Sequence, residues 1–123
     1  MKFAKSPSWL VELFQALQPE VGGSPRKMFG YPCAFDNDQL FTGLFADGLF
    51  VRLDERGRQE LLAIQGAAPF APMKDRPMRE YVVLPPTMLE DEDPVKEWMR
   101  RAREYVRALP PKKPRPTRRR RSA

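Results

Sequence analysis

The chain of 123 residues carries 22 Lys or Arg and 16 Asp or Glu, for a formal net charge of +6, with no histidine and one cysteine. This composition excludes an intramolecular disulfide, the usual zinc-ligand sets and every catalytic dyad or triad that uses imidazole. No apolar run approaches the roughly 20 residues of a membrane span or resembles a signal-peptide core, so we predict a soluble cytoplasmic protein without metal or cofactor.

A helix is predicted near the N terminus. Ser6 and Pro7 fit an N-cap followed by proline at the first helical position, and Pro19 is predicted to end the helix. Between them the apolar residues recur at i, i+3, i+4 and i+7, as an amphipathic helix requires. These residues are Leu10, Leu13, Phe14 and Leu17.

Four strands are predicted to follow. Short apolar runs at 27–29 and 33–35 are separated by Gly30-Tyr31-Pro32, and the next strand begins after a turn at 36–38. The runs 39–46 and 49–53 are joined by Asp47-Gly48, a pair typical of a two-residue type I′ hairpin.

Alternation in the fourth strand separates its two faces. Leu49, Val51 and Leu53 are predicted to point into a core. Phe50 and Arg52 then lie on the other side of the sheet, which we predict to be partly open.

The middle of the chain predicts a short helix, an ordered loop and a fifth strand. Asp54 fits the N-cap of this helix, and Gly66 is predicted to end it. The apolar side of this helix is predicted to comprise Leu61, Leu62 and Ile64. Residues 67–77 hold too many prolines for a central strand, and we predict a loop pinned by Phe70. A strand at 79–84 follows.

A long C-terminal helix is the clearest element. Asp93 and Pro94 fit its N-cap and first position. The acids at 90–92 lie near the positive end of the helix dipole, and the arginines at 100, 101, 103 and 107 lie toward its negative end. An apolar stripe with a 3.6-residue period comprises Val95, Trp98, Met99, Ala102, Tyr105, Val106 and Leu109. The element order predicts an α+β domain over 1–109, with a single, mostly antiparallel sheet of about five strands flanked by the N-terminal and C-terminal helices.

The basic tail (residues 110–123) contains seven cations and no acid. Removing these seven from the 22 leaves 15 basic against 16 acidic residues in the rest of the chain, so the positive charge belongs to the tail. Its proline and charge content predicts disorder. The cations are Lys112, Lys113, Arg115, Arg118, Arg119, Arg120 and Arg121.

Several sequence blocks together resemble the TfoX/Sxy N-terminal domain family. They are residues 26–35, 49–53, 68–73 and 76–85, in this order, with an acidic stretch and Trp98 following. The resemblance covers about residues 8 to 109. It implies a small α+β domain with helices at both ends of an antiparallel sheet, found in bacterial regulators of natural competence and in standalone proteins. It implies no enzyme.

Two departures from the family pattern stand out. Many members have a second glycine where this chain has Tyr31, and the full-length competence regulators carry a C-terminal domain that this chain lacks. The chain is therefore expected to be a standalone member of the family.

The tail is the strongest candidate for a binding site. An extended cationic segment can follow a phosphate backbone and release its counterions, without reading base sequence. We therefore predict nonspecific binding to nucleic acid or another polyanion. The alternative is a solubilising extension with no partner.

A second candidate surface combines aromatic and cationic residues. Phe50 and Arg52 on one strand, with Arg79 and Tyr81 on another, could contact a nucleic acid, an acidic protein or a ligand. The alternative is charge pairing of the cations with neighbouring acids, and the sequence favours it. Tyr31 in the corner at 28–32 could also contact a partner, although a purely structural corner with Gly30 at a bend is favoured.

Two further sites are weaker. Cys33 could act as a nucleophile, but a buried and inert thiol is favoured. The acids at 90–93 could attract a divalent cation, but helix capping explains them without a ligand.

Three functional hypotheses remain from the sequence. The first is a non-enzymatic interaction or regulatory domain, whose body recognises a protein partner and whose tail binds nucleic acid. The second is a small enzyme or ligand-binding protein that acts on an anionic metabolite through the Arg/Tyr sheet face. The third is a structural homodimer that pairs through the strand at 39–46 or the sheet edge near Tyr81.

Overall fold

The computed structural model describes residues 5–71 and 79–110, so residues 111–123 of the predicted disordered tail and residues 72–78 of the predicted loop lie outside it. Three helices accompany one sheet, which confirms the predicted α+β class. The helices are α1 (Ser8–Val21), α2 (Glu55–Leu62) and α3 (Glu92–Ala108), with a 3₁₀ turn at Pro86–Glu90. The strands are β1 (Ser24–Met28), β2 (Tyr31–Asp36), β3 (Gln39–Phe45), β4 (Gly48–Arg52), β5 (Ala68–Pro69) and β6 (Tyr81–Val83).

The sheet has six strands in the order β1-β2-β3-β4-β6-β5, and all neighbours pair antiparallel. The additional strand is β5, which pairs Ala68 with Val83 and Pro69 with Val82. Proline is tolerated there because β5 lies at an edge, where a strand can lack a donor on its free side. Both β3 and β6 have a neighbour on each side, so any pairing between two copies would use β1 or β5.

The main core lies between one face of the sheet and the helices α1 and α3. Leu49, Val51 and Leu53 point into it, as the alternation predicts. A smaller core on the opposite face combines Cys33, Leu40, Phe50 and Phe70. Phe70 is buried in this smaller core, and its ring stacks on Phe50 with 4.3 Å between centroids. Phe50 is therefore only 1% exposed, and this face is more closed than the sequence suggests.

The ends of α1 differ from the prediction. Its N-cap is Pro7 with no side-chain cap, and the Ser6 hydroxyl instead donates to the Ala46 carbonyl at 2.6 Å. Pro19 lies inside the helix, which continues to Val21. Proline is tolerated here because Gln15 and Pro19 are both exposed, so water can replace the one backbone bond that is lost.

The β3–β4 hairpin is shifted by one residue from the predicted Asp47-Gly48 turn. Phe45 pairs with Gly48, which leaves Ala46 and Asp47 as the two loop residues, and of these only Ala46 has a positive φ, at 53°. Gly48 belongs to β4 instead. A side chain at Gly48 would lie 3.0 Å from Val83 Cγ1, so this glycine permits the close approach of β6.

The cap of α2 is predicted correctly, but only one of the three residues predicted for its apolar side is buried. The Gly57 amide donates to Asp54 Oδ1 at 2.8 Å, and Leu61 is buried. Leu62 and Ile64 are 40% and 39% exposed, because the helix ends at Leu62 and Ile64 falls beyond it.

The predicted stripe of α3 packs on the core: five of its residues are buried, and Tyr105 and Leu109 are partly buried. The N-cap is Asp91 rather than Asp93, with Asp91 Oδ1 accepting from the Asp93 amide at 3.3 Å. The acids at this helix start therefore have the capping role that the sequence favours.

Candidate functional site

Arg52 lies at the centre of a hydrogen-bonded cluster that joins β3, β4 and the turn before β6 to α3. Its Nε and one terminal nitrogen lie 2.7 and 2.6 Å from Glu80 Oε1, and the other terminal nitrogen donates to Gln39 Oε1 at 2.7 Å. The Tyr105 hydroxyl donates to Glu80 Oε2 at 3.0 Å. The Arg52 guanidinium is thus neutralised by Glu80, and an anionic ligand would have to displace that carboxylate.

Tyr81 joins the same cluster from β6. Its hydroxyl donates to the Leu40 carbonyl at 3.0 Å, and its ring lies edge-on to Phe50 at 5.6 Å. The Arg52 guanidinium carbon lies 5.8 Å from the Tyr81 ring centroid and 5.7 Å from that of Tyr105. The arrangement ties the sheet to α3 and leaves Tyr81 only partly exposed.

The other residues of the predicted surface are spread apart. Arg79 is exposed in the turn before β6. Tyr31 is 5% exposed, and its ring packs on Phe45 at 5.2 Å between centroids. The structure thus groups Arg52 with Tyr81 over the buried Phe50 and places Tyr31 against a different neighbour. Lys74 and Arg76, two further cations that precede Arg79 in the sequence, lie outside the described residues.

Both tyrosines of the cluster resist ionisation. Burial raises the pKa of Tyr81 above its ordinary value, and burial together with the hydrogen bond to Glu80 raises that of Tyr105. A tyrosine with a raised folded-state pKa stabilises the fold fully below its unfolded pKa of about 10, and this contribution is lost as pH rises through the folded pKa.

We therefore expect the free energy of unfolding to fall above about pH 10. The fall should be smaller in Tyr81→Phe and in Tyr105→Phe, because each change removes one of these ionisations. Urea unfolding at a series of alkaline pH values measures the fall in the free energy of unfolding. Tyrosinate absorbance, followed in parallel, measures the ionisation of the tyrosines. An identical pH dependence in the parent chain and both variants would contradict this assignment.

Cys33 is structural in this geometry. It is 1% exposed on β2, and burial raises its pKa, an effect that the positive charge of Arg26 only partly offsets. A thiol of this kind is a poor nucleophile at neutral pH. Within residues 5–71 and 79–110, no group of three or more potential ligands is arranged to hold a metal ion.

Shallow cavities open on the described surface. One, of about 310 Å³, lies between α1 and the β1–β2 hairpin, with Phe14, Gln18, Pro25 and Lys27 among its lining residues. A second, polar cavity of about 300 Å³ lies beside Arg103 and the β2–β3 turn, and a third of about 240 Å³ lies beside Phe70. Neither Arg79 nor Tyr81 lines any of these three cavities.

The end of α3, from which the tail departs, is held by the β2–β3 turn. The Asn37 side-chain amide donates to the carbonyls of Val106 and Leu109, at 3.0 Å each, and Gln39 Nε2 donates to the Pro110 carbonyl at 3.4 Å. Asn37 has a φ of 55°, a left-handed conformation that asparagine tolerates. Sequence reasoning assigned Asn37 only to a turn, because nothing local shows that its side chain reaches a helix 69 residues away.

A family model described as the TfoX N-terminal domain matches residues 12–105, which is more than half of the chain. The chain belongs to the TfoX N-terminal domain family. The matched region runs from α1 into α3 and contains the whole sheet, which confirms the resemblance seen in the sequence. This is not a known enzyme family. A comparison with curated proteins found no match.

The matched region also includes the Arg52 cluster and the turn that holds α3, so both belong to the TfoX N-terminal domain. The tail cations lie beyond the matched residues. In the described part of this TfoX domain, no helix has both the length and the apolar character needed to cross a membrane.

Proposed function

We propose that this TfoX N-terminal domain is a non-enzymatic interaction domain of bacterial gene regulation, whose basic tail binds nucleic acid without sequence preference. The observation that carries the proposal is the division of charge. Seven of the 22 cations lie in residues 110–123 with no acid among them, whereas the rest of the chain has 15 cations against 16 acids.

Seven cations in the described part of the body form ion pairs with its own acids. Arg52 contacts Glu80 at 2.6 Å, and Lys96 contacts Glu20 at 3.0 Å. Arg101 contacts Glu60 at 3.0 Å. Such pairs lower the potential that a phosphate would meet on the body, and the tail has no acid with which to form them.

The position of the tail on the domain favours the same function. Because Asn37 and Gln39 hold Leu109 and Pro110, which directly follow α3, the tail starts from a fixed point on the surface. The cations that follow can bind phosphates while the body stays free to contact a protein partner. The family membership supports the regulatory part of the proposal, since the resemblance points to bacterial regulators of competence.

The proposal predicts binding that depends on both tail charge and salt. If all seven cations engage duplex DNA, the logarithm of the association constant falls by as much as about 6 per decade of salt. Fluorescence anisotropy with a labelled duplex, at about 50 and 200 mM salt, measures this. The comparison is between the full chain and a full-length variant with all seven tail cations replaced by glutamine.

We expect the full chain to bind and to weaken steeply at the higher salt, and the glutamine variant to bind far more weakly. The variant keeps the chain length and all of the described residues, so its fold serves as an internal control by circular dichroism. Equal binding by the two proteins, or binding insensitive to salt, would overturn the proposal.

A further inference from the structure

Four cations lie along one face of α3. Lys96, Arg100, Arg103 and Arg107 are spaced at i, i+4, i+7 and i+11, which keeps them on the same side of a helix with 3.6 residues per turn. The apolar stripe of α3 lies on the side that packs on the sheet. The acids Glu97 and Glu104 lie roughly a quarter turn from the centre of the basic face.

Two of the four cations attach the helix to the body. Lys96 contacts Glu20 at 3.0 Å. Arg103 donates to Asp36 Oδ2 at 2.6 Å and to the Val21 carbonyl at 2.7 Å. These contacts use Glu20 and Asp36, two acids from other elements, so the charges of Glu20 and Asp36 are already balanced by Lys96 and Arg103.

Arg100 and Arg107 are the remaining pair. Arg100 is exposed and has no ion pair within residues 5–71 and 79–110. The Arg107 side chain is 60% exposed, and its Nε lies 3.8 Å from Asp36, the carboxylate that Arg103 holds at 2.6 Å. Both arginines are therefore available to an external anion at little cost in broken contacts.

We propose that a nucleic-acid strand bound by the tail continues onto this face of α3, where Arg100 and Arg107 each contact a phosphate. This inference rests on the proposed function of the tail and deepens it, because it adds a folded surface to the binding site. Arg107 lies close to the fixed point at which the tail leaves the domain, so a phosphate backbone that follows the tail back to its start arrives at this helix face.

The spacing of the two arginines suits a duplex backbone. Seven residues of α-helix separate their Cα atoms by about 10 Å along the helix axis, which equals the rise of about three base-pair steps along the axis of duplex DNA. Side chains on a helix that Asp36, Val21 and Asn37 hold in place lose less conformational freedom on binding than side chains of a charged linker do.

The test compares the salt dependence of duplex binding in four full-length proteins. They are the parent chain, the variant with all seven tail cations replaced by glutamine, Arg100→Gln/Arg107→Gln, and the matched control Lys5→Gln/Arg56→Gln. The control removes the same charge from two exposed positions on other elements, one before α1 and one on α2. Thermal unfolding of each protein checks that the fold is retained.

Loss of two phosphate contacts should reduce the salt slope by about 1.8 in Arg100→Gln/Arg107→Gln and weaken binding at about 50 mM salt by tenfold or more. The control should keep the parent slope. If the helix variant has the same slope as the control while the tail variant loses binding, the inference is overturned and the proposed function stands. If the parent chain does not bind, both are overturned.

Discussion

Replacing Phe50 with alanine is expected to lower the free energy of unfolding by about 3–5 kcal/mol. Phe50 is 1% exposed at the centre of the smaller core, where it stacks on Phe70 and meets Tyr81 edge-on. Truncation leaves a cavity that the strands cannot close, because β4 is paired on both sides. Phe70 also loses its stacking partner, so the packing of the residue that follows β5 is weakened together with the core.

Urea unfolding of Phe50→Ala measures this loss, and Trp9→Ala provides the control. Trp9 is also a large aromatic residue but is 53% exposed on α1, so we expect its truncation to cost only about 1 kcal/mol. A loss of less than about 1.5 kcal/mol in Phe50→Ala would show that this side of the sheet is open rather than packed.

Replacing Asn37 with alanine is expected to cost about 2–3 kcal/mol, although Asn37 lies in a turn. Alanine disfavours the left-handed conformation by about 1–2 kcal/mol, and the two hydrogen bonds to the end of α3 are lost as well. Both effects originate in this one side chain, whose φ is 55° and whose amide lies 3.0 Å from each of the Val106 and Leu109 carbonyls.

Two glycine variants separate these contributions. Asn37→Gly keeps the backbone conformation and removes only the hydrogen bonds, so we expect it to be less destabilising than Asn37→Ala by about 1 kcal/mol. Asp38→Gly changes the neighbouring exposed residue, whose φ is 58°, and should stay within about 0.5 kcal/mol of the parent chain. Chemical unfolding compares all three. Equal losses in Asn37→Gly and Asp38→Gly would show that the hydrogen bonds do not contribute to stability.

Sequence patterns predicted the fold well where the signal is periodic. The alternation in β4 and the stripe of α3 specify which side chains are buried, because a period of 2 or 3.6 follows directly from strand or helix geometry. Element boundaries were less predictable. Pro19 did not end α1, because an exposed last turn can lose a backbone bond, and Gly48 marked the close approach of β6 rather than the turn.

The candidate site was less predictable than the fold. Side-chain type alone offered Phe50, Arg52 and Tyr81 as a candidate ligand surface, although the sequence favoured charge pairing of the cations with neighbouring acids. The structure shows that Arg52 is held by Glu80 and Gln39, contacts 28 and 13 residues away in the chain. The basic face of α3 was visible only as a bias of arginines toward a helix end. Which of its cations remain available depends on Glu20 and Asp36, which pair with Lys96 and Arg103. Both acids belong to other parts of the chain, and only the tertiary fold brings them to α3.

The most direct test of the account is to locate the nucleic-acid contact on the full-length chain. Amide chemical shifts of the ¹⁵N-labelled protein, followed by NMR as a short DNA duplex is added, report each residue separately. We predict changes in residues 112–121 and around Arg100 and Arg107, with none at Arg52 or Tyr81. Changes centred on Arg52, Glu80 and Tyr81, with none in residues 112–121, would contradict the account and place binding on the sheet face.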